Sequence, residues 1–154
     1  MSIRDGMPLL AKHEGYWEGE YVYLNPQGEV IDRHRSHLAC LFPDPESGFD
    51  YDQTNTYTWP DGRTEQHHFP GTYDGYGRMN FDTERIRGVC WGVDENTIYL
   101  TWIYKEQGVD LRLFELIVLD QDGKNRCRTW QWVRNGVIEM RTIINETRTE
   151  RATP

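Results

Sequence analysis

The feature that most constrains this chain is alternation with a period of two, repeated about ten times and broken each time by turn-forming residues. Successive side chains of a strand point to opposite faces, so such alternation marks strands buried on one side. The runs lie at residues 16–24, 30–42, 50–59, 63–69, 72–81, 85–93, 97–105, 110–119, 124–134 and 137–148. Asn25-Pro26-Gln27-Gly28 closes the first and Pro60-Asp61-Gly62 the third. Pro70-Gly71 stops the fourth, Gly75 and Gly77 loosen the fifth, and Asn135-Gly136 reads as a type I′ hairpin between the last two. Only residues 1–13 can be helical, with Gly6 and Pro8 confining any helix to a turn or two after Pro8. Residues 149–154 read as a frayed tail.

Short connections favour antiparallel neighbours in an up-and-down order. Ten strands in an open meander leave two edges, and closure removes both. The expectation is an all-β chain folded as one antiparallel up-and-down closed β-barrel of about ten strands. At 154 residues it forms a single domain, with 1–13 as a lead-in and 149–154 as a tail.

Composition bears on partners. Lys and Arg number 17 against 25 Asp and Glu, a formal charge of −8. Phosphate contacts need clustered cations, so neither nucleic acid nor an anionic membrane surface is expected as a partner. No apolar run approaches the ~18 residues of a membrane span, and the first residues lack the apolar core of a secretory signal. Cys40, Cys90 and Cys127 show no CxxC spacing, which argues against structural zinc. An odd count of free thiols suits a reducing compartment, so a cytoplasmic location is expected. No two histidines share a face within one run, and no nucleophile-elbow, Walker or dinucleotide motif is present. Neither a metal nor a cofactor is therefore expected. Aromatic residues make up 13% of the chain, so large amphipathic rings must build much of the core.

Alternation assigns faces. Trp17, Gly19, Tyr21 and Tyr23 share the inward side of the first strand. In the third, Tyr51, Gln53, Asn55, Tyr57 and Trp59 lie opposite a Thr- and Asp-rich side. An inward amide pair needs hydrogen-bond partners, which a ligand or neighbouring strands can supply. His34 shares a face with Ser36, Leu38 and Cys40. The eighth strand is apolar on both sides. If Glu115 points inward it needs a cation, with Arg141 or Arg35 as the candidate partner, or else a raised pKa.

Gly15-Tyr16-Trp17-Glu18-Gly19 and a late Arg148 resemble the calycin superfamily of lipocalins and fatty-acid-binding proteins. That resemblance implies a structural role for Trp17 and Arg148 as cation–π partners at the closed barrel end. Trp17-Glu18-Gly19, Pro26-Gln27-Gly28 and Gln53-Thr54-Asn55 resemble the DUF3598-type branch, mainly over the first 60 residues. Haem-binding nitrobindin-like barrels use a late histidine, and this sequence has none after His68. Tyr21-Val22-Tyr23 resembles an element of the phenolic acid decarboxylases, lipocalin-like enzymes without a cofactor. That similarity implies a lyase or isomerase chemistry carried by Tyr21, Tyr23, Glu115 and Arg141.

The expected function is binding of a small organic ligand, partly apolar and aromatic or carboxylated. The expected site comprises Tyr21, Tyr23, His34, Tyr51, Gln53, Asn55, Tyr57, Trp59, Glu115 and Arg141, in a monomer or homodimer. The alternative is the cofactor-free lyase or isomerase.

Overall fold

A computed structural model describes residues 1–154. The ten strands are β1 (Gly15–Leu24), β2 (Val30–Leu41), β3 (Tyr51–Thr58), β4 (Thr64–Tyr73), β5 (Arg78–Asp82), β6 (Ile86–Gly92), β7 (Thr97–Tyr104), β8 (Leu111–Leu119), β9 (Asn125–Arg134) and β10 (Val137–Thr149). Each pairs antiparallel with its sequence neighbours, and β1 pairs with β10, so the barrel closes. Asn135 and Gly136 take φ of 50° and 78°, the left-handed pair that a two-residue I′ turn requires.

Pro70-Gly71 does not stop a strand; both residues lie inside β4. β4 pairs with β5 only from Gly71 to Tyr73, so no ladder partner on that side needs a donor from Pro70. Gly71 also makes room for Met79, whose Sδ lies 2.8 Å from where a Cβ would sit. The true break is at residues 74–77. There Gly75 and Gly77 have φ of 84° and 86°, and the Asp74 carboxylate accepts from the amides of Tyr76 and Arg78.

One end of the barrel is plugged. Helix α1 (Ile3–Gly6) forms before Pro8, against expectation, because Ser2 and Asp5 make a reciprocal capping box. Helix α2 (Pro8–Ala11) follows with Pro8 in its first turn. Ile3, Met7, Leu9 and Leu10 are buried, and the helices pack beside Gly77, Val93 and Ile98 at the β4–β5 and β6–β7 turns. The opposite end carries the β1–β2, β3–β4, β5–β6, β7–β8 and β9–β10 turns and no helix. The tail is not frayed throughout. The Arg151 carbonyl accepts from His37 Nε2 at 2.7 Å, and its guanidinium pairs with Glu18. His37 is buried under it although it points outward.

Candidate binding site in the barrel interior

β9 supplies the centre of the interior. Arg126, Arg128, Trp130 and Trp132 alternate along it toward the axis, while Cys127, Thr129 and Gln131 face out. Arg128 Nε donates to Glu115 Oε2 at 2.7 Å, and its Nη1 donates to the Tyr21 hydroxyl at 2.7 Å and to Glu146 Oε1 at 3.2 Å. Arg126 Nε donates to Glu146 Oε1 at 2.8 Å, and its Nη1 to His13 Nδ1 at 3.1 Å. Two cations and two carboxylates thus cancel inside the barrel, which is the condition for burying them. Burial alone would raise the Glu146 carboxyl, but Arg126 and Arg128 outweigh it and hold it below the usual carboxylate range. Burial likewise opposes the Arg128 cation, and Glu115, Tyr21 and Glu146 overcome that and raise it well above its ordinary value. His13 is pushed down to about 2 by burial and by Arg126, Arg128 and Arg148. It is neutral, accepts at Nδ1, and leaves Nε2 without a partner.

Register explains the placement. Gly19 on β1 faces Glu146 on β10, which faces Arg126 on β9. A Cβ on Gly19 would lie 2.9 Å from Glu146 Cγ, so the glycine clears the space the carboxylate occupies. At the plugged end Trp17 is fully buried and donates its Nε1 to the His13 carbonyl at 3.0 Å. The guanidinium carbons of Arg126 and Arg148 lie 4.3 and 4.4 Å from its ring centroid.

The β3 amides find partners on their own strand. The Tyr51 hydroxyl donates to Gln53 Oε1 at 2.8 Å, Gln53 Nε2 to Asn55 Oδ1 at 2.8 Å, and Asn55 Nδ2 to the Tyr57 hydroxyl at 3.0 Å. Nearby, the enclosed void measures only about 30 Å³ and is lined by Gln53, Asn55, Glu115, Arg126, Arg128 and Trp102 among others. That is room for about one water.

Aromatic rings fill the open end. His34 Nδ1 donates to the Arg35 carbonyl at 3.2 Å, so Nε2 accepts the Tyr23 hydroxyl at 3.0 Å. The His34 ring lies 4.3 Å from Tyr57 and 4.6 Å from Trp59, and burial lowers its pKa. Phe69 stacks on Trp102 at 5.4 Å and Tyr104 on Trp132 at 5.9 Å. Trp130, 4% exposed, has an indole N–H with no partner, and that of Trp102, 8% exposed, makes no well-formed hydrogen bond, with only the Tyr104 hydroxyl nearby. Burial pushes the Tyr21, Tyr23 and Tyr104 hydroxyls up, and that of Tyr57 to about 12.

Of the residues expected from sequence, Tyr21, His34, Tyr51, Asn55, Tyr57 and Glu115 are buried and inward, and Tyr23, Gln53 and Trp59 are half-buried. They form two groups. Tyr21 and Glu115 meet through Arg128, whereas Tyr23, His34, Tyr57 and Trp59 gather at the mouth. Arg141 is a correction. Its neighbour Thr142 pairs with inward Tyr23, so Arg141 points to solvent, and Arg35 is exposed as well. Arg128 is the partner of Glu115 instead. Sequence reasoning missed Arg126 and Arg128; the signal was that they alternate in phase with Trp130 and Trp132, the rings most in need of burial.

A closed, ten-stranded up-and-down barrel around a charged and aromatic interior defines a calycin-like protein. The chain belongs to the DUF3598 family: the profile for the N-terminal domain of unknown function matches residues 7–151. No curated protein matches its sequence. A DUF3598 protein of unknown function from Nostoc punctiforme PCC 73102 is 17% identical, with a TM-score of 0.69 over 91% of this chain. The present chain spans about half, 49%, of that protein's length. The S-type phycobiliprotein lyase CPES from Guillardia theta is 11% identical, with a TM-score of 0.71 over 98% of this chain and 94% of the lyase. At these identities the likeness is one of fold. No helix is long and apolar enough to cross a membrane.

Proposed function

We propose that the barrel binds a small, partly apolar aromatic molecule at its open end, with ligand oxygens on the indole N–H groups of Trp102 and Trp130. The observation that carries this reading is the Trp130 donor, buried without a partner among stacked rings, together with a Trp102 donor that makes no well-formed hydrogen bond. Each buried N–H left unsatisfied costs about 1–3 kcal/mol, which a ligand acceptor recovers. Arg126 and Arg128 are already neutralised by Glu115 and Glu146, so an uncharged carbonyl suits the interior better than a free carboxylate. Since the enclosed void is about 30 Å³, the ligand must displace the half-buried rings of Tyr23, Trp59, Tyr104 and Trp132. Drug-sized pockets measure roughly 300–1,000 Å³, so entry is an induced fit. The lyase alternative has less support, because Arg141 points to solvent and Glu115 is held by Arg128.

Denaturing mass spectrometry of freshly purified protein, with tryptophan-fluorescence titration, tests the reading. A co-purified organic mass, or saturable quenching by an aromatic carbonyl compound, is expected. Unchanged emission across fatty acids, aromatic acids, tetrapyrroles and terpenoids, with no co-purified mass, would overturn it.

A further inference from the structure

The outer face of β7 to β10 differs from the rest of the surface. In the three middle rows across these strands only Arg141 carries a charge, with Arg112 in the next row and Glu20 on β1 bordering them. Across the whole chain 27% of residues are charged. Leu116, Val118 and Ile143 on this face are 48%, 42% and 42% exposed. Contiguous exposed apolar side chains of this kind mark interaction sites.

The middle row says what fits. In register order it reads Tyr99, Leu116, Thr129, Ile143 and Val22. It is symmetric about Thr129, with an aliphatic residue one strand away on each side and an apolar residue two strands away. A two-fold axis through Thr129, parallel to the strands, maps this row onto itself reversed. Leu116 then meets Ile143 of the partner subunit, and Tyr99 lies on the side of Val22 of the partner subunit. This is the self-complementarity an isologous contact requires. The net charge of −8 on each copy opposes association, and the middle rows of this face, short of charge, keep like charges out of the contact itself.

We propose that this face seats a second copy of the chain about a two-fold axis through Thr129. Five strands at ~4.8 Å and three rows at ~7 Å give a contact of about 500 Å² per copy. Stable interfaces bury about 800 Å² per partner, so the dimer is weak and forms at micromolar or higher concentration.

Sedimentation velocity of the intact chain over roughly 5–200 μM, the range in which contacts of this size associate, reads the outcome. The parent is expected to move from monomer toward dimer mass as concentration rises. Leu116→Lys and Ile143→Asp, both at half-exposed positions, are each expected to stay monomeric with an unchanged circular dichroism spectrum. An equimolar mixture of the two is expected to recover dimers, because the axis places position 116 against position 143 of the other copy. A parent that stays monomeric throughout overturns the proposal. So does a dimer that either substitution leaves intact, or a mixture that stays monomeric while the parent dimerises.

Discussion

The Arg128 guanidinium and the Glu115 carboxylate, 2.7 Å apart and both almost fully buried, are the cross-brace between β9 and β8 at the barrel centre. Removing one member of a buried pair leaves an uncompensated charge, at about 3–5 kcal/mol. Arg128→Met abandons Glu115 and also strips Tyr21 and Glu146 of a donor. It is therefore expected to cost more than Glu115→Gln, which leaves Arg128 on Glu146. Urea midpoints check the order; equal midpoints for both variants and the parent would show that the pair contributes nothing net.

Trp17 and Arg148 face each other in register across the β1–β10 seam. Besides lying over the ring, Arg148 donates to three main-chain carbonyls, those of Gly123, Lys12 and Glu14. It thereby ties the lead-in and the β8–β9 turn to the plugged end. A Trp removed from a core costs about 3–5 kcal/mol, so Trp17→Ala is expected to unfold a marginal domain. Arg148→Lys keeps the charge but loses the planar fork, and about 1–2 kcal/mol is expected from the lost hydrogen bonds. Thermal melts within a degree of the parent for both would refute the bracing role.

How far the sequence carried these features depends on what each one rests on. Strand number, order and the Asn135-Gly136 turn are local, because alternation and turn chemistry are written residue by residue. The inward face of β3 was legible for the same reason. The partner of Glu115 was not, because it depends on register between β8 and β9, and a shift of one residue exchanges the faces. Pro70-Gly71 misled because the missing donor of a proline matters only where a neighbour strand would use it, and β5 is too short to do so. The Gln53–Asn55 pair looked like a demand for a ligand, yet the tyrosines two residues to either side satisfy it. The unpartnered buried groups include two indoles as well as Ser36 Oγ and His13 Nε2, and the indoles' need for an acceptor cannot be seen until their surroundings are known.

The pH dependence of stability follows from His13. Its folded pKa, about 2, lies below the ordinary 6.5, so the folded state holds it neutral and the unfolded chain takes up the proton first. Its contribution is complete above the unfolded value and declines as pH falls from 6.5 toward 2, at about 1.4 kcal/mol per pH unit. His34, also lowered, acts in the same direction. Glu146 adds a further loss only below its ordinary 4.5, as pH falls through its depressed folded value. Between pH 7 and 5 the parent is expected to lose about 2 kcal/mol through His13. His13→Gln should show a shallower slope over that interval in urea titrations, and identical slopes would rule His13 out as the cause.

Trp130 offers a test that separates binding from folding. Trp130→Phe keeps an aromatic ring beside Tyr21 and Trp132 but removes a buried N–H that has no partner. Losing an unsatisfied donor offsets part of the packing loss, so the variant is expected to melt closer to the parent than the ~3–5 kcal/mol of a Trp-to-Ala change. If the indole holds a ligand oxygen, affinity should fall about tenfold, the equivalent of one ~1.4 kcal/mol hydrogen bond. Affinity unchanged in a folded Trp130→Phe would place the ligand elsewhere.

Gly19 tests closure most directly. A Cβ there would lie 2.1 Å from the Asn145 carbonyl oxygen, a main-chain atom of the strand that seals the barrel, as well as 2.9 Å from Glu146 Cγ. A flexible side chain can move aside, but a ladder carbonyl cannot without breaking pairing. Overpacking a tight core costs about 1–3 kcal/mol, and here the strain falls on the β1–β10 seam and on the carboxylate that anchors Arg126. Gly19→Ala is therefore expected to lower the melting point and to speed amide exchange in Tyr21, Val22 and Ile144 more than in β6 or β7. Glycines at exposed turns, such as Gly28 with nothing within 4 Å, cost only their left-handed φ and leave the seam untouched. A Gly19→Ala variant whose seam amides exchange as slowly as the parent's would mean that β1 and β10 are not held at this distance in solution, and that the barrel tolerates an open edge.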